Sequence, residues 1–160
     1  MTDKLAGGSG GIPFNDAELL DSSKIYAPQI ISMTQGTYAS VLVVGMIQIT
    51  YAADDGTSFA APKHGNLGEA SNTTTCGSFN LQPDEKIIQV NGRYSARINS
   101  LQFVTTKNRQ VPDPACGGTD GAMFTDSKLG YYLSFISGRS GVTLDAIQFH
   151  WVKFLGMTYN

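Results

Sequence analysis

The sequence predicts an all-β fold built from one unit used three times. Glycine is abundant (18 of 160 residues), charged residues make up only 15%, and Val, Ile, Thr, Tyr and Phe come in short runs between Gly-rich turns, the mark of many short strands. A pattern then recurs. A Gly-containing loop ends in Phe (Phe14, Phe79, Phe124), an apolar strand follows and closes at a glycine (Gly36, Gly92, Gly138), and a second apolar strand carries Ile47-Gln48-Ile49, Leu101-Gln102-Phe103 or Ile147-Gln148-Phe149. The spacings match: Phe79 to Val90 and Phe124 to Phe135 are both eleven residues, Gly92 to Leu101 and Gly138 to Ile147 both nine. The first copy departs by insertion, eight residues longer between Phe14 and Met33 and two longer between Gly36 and Ile47. A four-strand unit repeated three times, each copy too small to bury its own apolar face, predicts three sheets around a shared axis with a common core. A trefoil satisfies the same periodicity.

Taken in order, residues 1–6 read as an N-terminal tail and 7–160 as a single domain, large enough to bury a core without metal or multiple disulfides. Gly7-Gly8-Ser9-Gly10-Gly11 cannot favour a helix, and with Ile12-Pro13-Phe14 behind it reads as a tight loop entering a strand. Residues 15–25 are polar and irregular, a surface insertion with one helical turn at Ala17-Glu18-Leu19-Leu20. Strands follow at 30–33, 41–44 and 46–51, with a turn at Thr34-Gln35-Gly36. Asp54-Asp55-Gly56-Thr57 signals a type I′ hairpin, since Asp-Gly supplies positive φ. A loop opens at His64, a Thr-rich run leads to Phe79, and the second copy gives strands at 86–90 and 98–106 with a turn at Asn91-Gly92. The third loop, 112–124, leads to the strand 131–135 and then to Gly138-Arg139-Ser140-Gly141-Val142-Thr143-Leu144-Asp145, a glycine-loosened loop running into a strand that carries one carboxylate.

Charge and motif content exclude several functions. A net charge of −2 without a Lys/Arg cluster gives no footprint for nucleic acid or an anionic membrane surface. The longest apolar stretch, 41–49, is broken by Gly45 and Gln48 and is too short to span a bilayer. Residues 1–6 lack the n-region and h-region of a secretory signal, so a cytoplasmic protein is expected, a secreted one only if a leader was removed. Cys76 and Cys116 form no CxxC pair; they are two thiols or one disulfide, and the missing leader favours thiols. HExxH, GxSxG, Walker A and helix-opening GxGxxG motifs are absent, and Asp113, Asp120 and Asp126 have no hydrolase-pair spacing. His150, beside Trp151, reads as structural. Neither an enzyme nor a metal or cofactor site is expected.

Three stretches in order carry a resemblance. Gly7-Gly8-Ser9-Gly10-Gly11-Ile12-Pro13-Phe14-Asn15-Asp16 is similar to the G-G-x-G-G-x-x-F-D-D that opens the jacalin-related lectins. Ile98-Asn99-Ser100-Leu101-Gln102-Phe103-Val104-Thr105-Thr106-Lys107 resembles their I-x-S-L-x-F-x-T-N-K, and Gly138-Arg139-Ser140-Gly141-Val142-Thr143-Leu144-Asp145-Ala146-Ile147 their G-R-S-G-x-x-L-D-A-I. The resemblance implies a β-prism I of three four-stranded Greek-key sheets with pseudo-three-fold symmetry, and a metal-independent sugar site where the first Gly loop meets the last loop. In it Gly11, Val142 and Thr143 donate backbone N–H groups, Gly141 lets the backbone approach the ligand, and the Asp145 carboxylate accepts hydroxyl protons. It also implies that the Gly loops gather at one end, which makes a Cys76–Cys116 bond geometrically feasible.

At the position of Asp145 the second copy has Asn99, and the first has Gly45 with the strands aligned or Ser40 with the loop aligned; neither alternative is an acid, so one site per chain is expected. Galactose-preferring members of the family are cleaved at the Gly11 position. This chain is continuous there, which implies mannose- or glucose-containing glycans. Val142 and Thr143 offer no aromatic platform, so monovalent affinity is expected at about the millimolar level, roughly −4 kcal/mol. Useful avidity then requires several sites, hence a homo-oligomer. The alternative is an interaction or toxin-like β-prism module with a vestigial sugar site.

Overall fold

Period-two alternation writes the core. Ile47 and Ile49, Leu101 and Phe103, Ile147 and Phe149 are buried at 2% exposure or less, while the intervening Gln48, Gln102 and Gln148 turn outward. Two of these glutamines repeat one role: Gln48 Nε2 donates to Ala61 O at 3.0 Å and Gln102 Nε2 to Pro112 O at 2.8 Å. Ile31, Met33, Ile87, Val90, Leu133 and Ile136 complete the interior, and Phe103 meets Phe149 edge-on at 6.4 Å. Each such side chain contributes about 1.5–3 kcal/mol on burial.

The computed structural model describes residues 5–68 and 70–155. Among them twelve strands run as β1 (Ala6–Gly7), β2 (Ile12–Asn15), β3 (Tyr26–Tyr38), β4 (Val41–Ala53), β5 (Ser58–Ala60), β6 (Ser71–Asn80), β7 (Ile87–Tyr94), β8 (Ile98–Thr105), β9 (Gln110–Gly117), β10 (Ala122–Asp126), β11 (Tyr131–Ser140) and β12 (Leu144–Lys153). They form three four-stranded antiparallel sheets ordered β1-β12-β11-β2, β5-β4-β3-β6 and β10-β7-β8-β9. This is the jacalin-like β-prism I, and separate sheets exclude the trefoil. In every sheet a central hairpin is flanked by two strands from the next Gly-loop segment, so that the loop between β1 and β2 is held in the sheet of β11 and β12. Sheet pairing begins at Ala6, inside the stretch read as a tail; residues 1–4 and 156–160 lie outside the described residues.

Several local expectations are corrected. The turn expected at Thr34-Gln35-Gly36 lies inside β3, which continues to Tyr38 and reverses at Ala39 and Ser40, both left-handed (φ +51° and +65°). Gly92 and Gly138 are likewise inside strands, paired to Phe124 and Phe14. They are glycines because of packing: a Cβ would lie 2.6 Å from the Phe124 ring at Gly92 and 2.1 Å from Ala146 O at Gly138. Gly36 is not their counterpart, since Phe79 pairs with Ile31. The first copy's extra residues lengthen its hairpin to two strands of thirteen, against eight in the second copy and ten in the third. The Asp54–Thr57 hairpin forms, but with only Gly56 left-handed (φ +88°), a wider turn than type I′. The single helical turn is a 3-10 turn at Asp16–Leu19, capped by Asn15.

Two polar clusters pin the sheets. Buried Asp16 accepts from Tyr51 Oη at 2.5 Å and pairs with His64 Nε2 at 2.7 Å, while the His64 ring stacks on Phe14 at 3.6 Å. Glu85, also buried, takes a bidentate pair from Arg109 (2.7 and 2.8 Å) and a 2.6 Å bond from the Thr105 hydroxyl. The Arg109 guanidinium, helped by Thr105 and Gln82 N–H, holds the Glu85 carboxyl at about 2, below its ordinary 4.5, against the opposing effect of burial. The thiols favoured from sequence are instead one disulfide, Cys76–Cys116, which ties β6 of one sheet to β9 of another across a Cα separation of 5.6 Å.

Candidate functional site

The sugar-site residues read from sequence converge. Gly11, Gly141, Val142, Thr143 and Asp145 line one shallow cleft of about 210 Å³, together with Gly10, Tyr38 and Arg97. Asp145 is the second residue of β12, where the β11–β12 turn ends. Thr143 Oγ1 donates to its Oδ1 at 2.9 Å, and Gly141 N–H closes the turn on Thr143 O at 3.0 Å. The other carboxylate oxygen faces the first Gly loop. A Cβ on Gly11 would lie 2.5 Å from Asp145 Oδ2, and Gly11 is left-handed at φ +71°, so only glycine brings the backbone this close without strain.

The first Gly loop is fastened on both sides. Gly8 N–H donates to Asp145 O at 2.9 Å, and a Cβ on Gly7 would lie 2.2 Å from the same oxygen. The Arg139 guanidinium donates to Gly10 O at 3.0 Å and Gly11 O at 2.9 Å. Those bonds occupy carbonyls and leave N–H groups for the cleft.

The turn that faces this loop is aimed from behind. Asn66 N–H donates to Gly141 O at 3.2 Å and Leu67 N–H to Val142 O at 2.7 Å. In a trans peptide the carbonyl and the following N–H point in opposite directions, so bonds on the back turn the Val142 and Thr143 N–H groups forward. The segment that supplies them is held by His64, whose backbone exchanges 2.9 and 3.0 Å bonds with Ile47 and whose ring pairs with Asp16. The result is an acceptor-only carboxylate beside backbone donors, a set that matches vicinal hydroxyls of a neutral polyol.

Two lining residues escaped the sequence reading. Arg97, from the β7–β8 turn, lies with Nε 3.9 Å from Asp145 Oδ1 and its guanidinium 4.4 Å from the centroid of the Tyr38 ring, at the end of β3. Neither belongs to a matched motif. The aromatic surface that Val142 and Thr143 lack is thus present in Tyr38, already carrying a guanidinium.

The repeat's other positions also resolve. A Cβ on Gly65 would lie 1.9 Å from Gly45 O, as on Gly7 from Asp145 O, so the strand alignment holds and Gly45 is the first-copy counterpart of Asp145. Leu67 occupies its space: a Cβ on Gly45 would fall 1.7 Å from Leu67 Cδ2.

Fold and cleft together define a β-prism with a polar cleft between the first Gly loop and the β11–β12 turn. Residues 4–150 match the Jacalin-like lectin domain, and the chain belongs to that family. Among solved structures it is similar to the mannose-binding lectin of Champedak (26% identity, TM-score 0.73, covering 93% of this chain and 94% of that one). It is also similar to a mannose-specific jacalin-related lectin of Morus nigra in complex with mannose (25%, 0.73, 92% and 91%). Zymogen granule membrane protein 16 of Rattus norvegicus is 44% identical over 73 residues, 44% of this chain and 42% of that protein; the human protein is 42% identical over the same length. The match thus spans under half the length of these relatives. They overturn the cytoplasmic expectation, because their name places them at the zymogen granule, in the secretory pathway. The Cys76–Cys116 bond fits the same oxidising surroundings.

Proposed function

We propose that the chain binds mannose- or glucose-containing glycans at the Asp145 cleft, without a metal and without chemical change to the glycan. The observation that carries this reading is the approach of Gly11 to Asp145 Oδ2, which sets a carboxylate acceptor beside N–H donors at a spacing no side-chain-bearing residue permits. In this reading Asp145 accepts two sugar hydroxyl protons while Gly11, Val142 and Thr143 donate to sugar oxygens, and Gly141 keeps the rim clear. The mannose named for the Morus nigra and Champedak lectins supports the choice of sugar. A cleft this small and open holds one sugar ring at about millimolar affinity. Binding of multivalent glycans then depends on several chains acting together, so the working form is a homo-oligomer.

Titration calorimetry with methyl α-mannoside tests the site. Wild type is expected to bind at about millimolar Kd, and Asp145→Ala to lose at least tenfold, which corresponds to about 1.4 kcal/mol. Undiminished binding in Asp145→Ala, with the fold intact by circular dichroism, contradicts the reading.

A further inference from the structure

The end of the prism opposite the Asp145 cleft presents two leucines to solvent. Leu129 is 93% exposed and Leu155 83%, the highest values among the large hydrophobic side chains described. They stand side by side. Tyr131 pairs with Lys153, and Phe154 N–H donates to Gly130 O at 2.9 Å, so the β11–β12 ladder runs on and sets Leu129 opposite Leu155. Tyr131 N–H closes the β10–β11 turn on Lys128 O at 2.9 Å, which holds Leu129 at the tip of that turn.

Around the leucines the fold gathers aromatic rings and cations from separate parts of the chain. The Tyr132 ring meets Phe154 at 4.8 Å, with Lys86 Nζ 5.9 Å from its centroid, and Lys128 Nζ lies 4.0 Å over the Tyr131 ring. Lys153 stands beside Tyr131 across the ladder. None of these three lysines pairs with a carboxylate among the described residues, whereas Lys24 pairs with Asp55 and Lys107 with Asp84. Glu85 is held by Arg109 and Asp126 is buried. Exposed Asp54, across the cavity that it lines with Lys86 and Tyr132, is left against three cations. The sequence has no linear Lys/Arg cluster; the fold assembles one from positions 86, 128 and 153.

Apolar tips with tyrosines behind them and lysines around them match the water–hydrocarbon boundary of a bilayer. There a tyrosine keeps its ring in the acyl region and its hydroxyl among the headgroups, and a lysine stem runs along apolar surface to put its ammonium on a phosphate. Apolar insertion and cationic attraction are each marginal alone and effective together. An acidic protein would have to bring a pocket shaped to two protruding leucines, whereas lipid tails receive them without one.

We propose that this end of the prism docks on an anionic lipid bilayer, with Leu129 and Leu155 entering the acyl boundary and Lys86, Lys128 and Lys153 meeting lipid phosphates and carboxylates. β11 and β12 have ten residues each, so the Asp145 cleft stands roughly 30 Å away, at the other end of the same hairpin. Docking does not need that cleft. Only its consequence, a chain that holds glycans beside a bilayer, rests on the reading of the cleft as a sugar site.

Flotation with synthetic vesicles, which carry no glycan, tests the proposal. Vesicles of phosphatidylcholine with roughly one-third phosphatidylserine are expected to bind wild type at least tenfold more tightly than phosphatidylcholine alone, and raised salt to weaken that binding. The double variant Leu129→Ser with Leu155→Ser is expected to lose at least tenfold, and Lys128→Gln with Lys153→Gln at least fivefold, both with mannoside binding unchanged. No binding to the mixed vesicles, equal binding to both kinds, undiminished binding in either double variant, or displacement by methyl α-mannoside overturns the proposal. Leucine-dependent binding to soluble polyglutamate in place of vesicles would assign the surface to an acidic protein and overturn it too. Should a double variant fail to fold, wild type on bicelles carrying a paramagnetic lipid decides alone. The Leu129, Gly130 and Leu155 amides are then expected to broaden most and those of Gly141 and Thr143 least; the reverse order overturns the proposal. Vesicle binding as expected, without mannoside binding in the calorimeter, supports the docking and overturns only the reading of the Asp145 cleft.

Discussion

At the scale of single residues, the site depends on what is missing from Gly11. Its left-handed backbone and the absence of a Cβ, which would lie 2.5 Å from Asp145 Oδ2, are separate demands, and they can be separated by experiment. Gly56 is also left-handed, at φ +88°, yet nothing lies within 4 Å of where its Cβ would be. Gly56→Ala is expected to lose about 1–2 kcal/mol in denaturant unfolding from backbone strain, and Gly11→Ala more, because its Cβ would also lie 2.6 Å from the Ser140 backbone. Only Gly11→Ala should also lose mannoside binding, by displacing the carboxylate; equal binding in the two variants would contradict the assignment. Glu85 makes a second prediction at this scale. Its folded pKa is depressed to about 2 from 4.5, so its pairing with Arg109 and Thr105 stabilises the fold fully above the unfolded value and is lost as pH falls from 4.5 through 2. The thermal midpoint of wild type should therefore fall over that window, and Glu85→Gln should show a shallower fall from a lower starting point.

At the scale of elements, the central hairpin strands and the Asp54–Thr57 hairpin were legible, whereas the flanking strands were not: the Thr-rich run forms β6, and the loop read at 112–124 holds the end of β9 and the start of β10. Alternation in Ile47-Gln48-Ile49 and its two counterparts follows from period two and a buried face, which sequence records directly. Whether a glycine marks a turn or a crowded strand position depends on a neighbour far along the chain: Phe124 for Gly92, Ala146 for Gly138. No local pattern carries that information. Gly11, Gly141, Val142, Thr143 and Asp145 were legible as neighbours because they fall in two matched motifs, whereas the other lining residues Tyr38 and Arg97 arrive from two other sheets. The disulfide depended on a compartment argument that failed, and its effect is testable. Closing a loop of 40 residues contributes about 4 kcal/mol in the chain-entropy account. Replacing Cys76 and Cys116 together by Ser should lower unfolding stability by about that amount, with mannoside affinity changed less than twofold, since neither cysteine lines the cleft.

At the scale of the whole molecule, pseudo-three-fold symmetry provides three related cradles and lets each diverge. One keeps an acid at Asp145, one carries Asn99, and the first-copy position is closed by Leu67 over Gly45. The three-fold repeat was visible in matched spacings, while the choice of prism over trefoil came from the family motifs and is realised in the separate sheets. In the proposed reading one cradle per chain, that of Asp145, takes a sugar, so avidity for mannose-bearing surfaces depends on association. Sedimentation velocity is expected to find a species larger than a monomer at micromolar concentration, and a strict monomer with high-avidity binding would contradict that step. The most direct test of the central claim is a crystal structure with methyl α-mannoside. The account predicts one sugar ring in the Asp145 cleft, with two hydroxyls on the Asp145 carboxylate and oxygens facing Gly11, Val142 and Thr143 N–H. A ring bound elsewhere, with that cleft empty at tens of millimolar ligand, would contradict it.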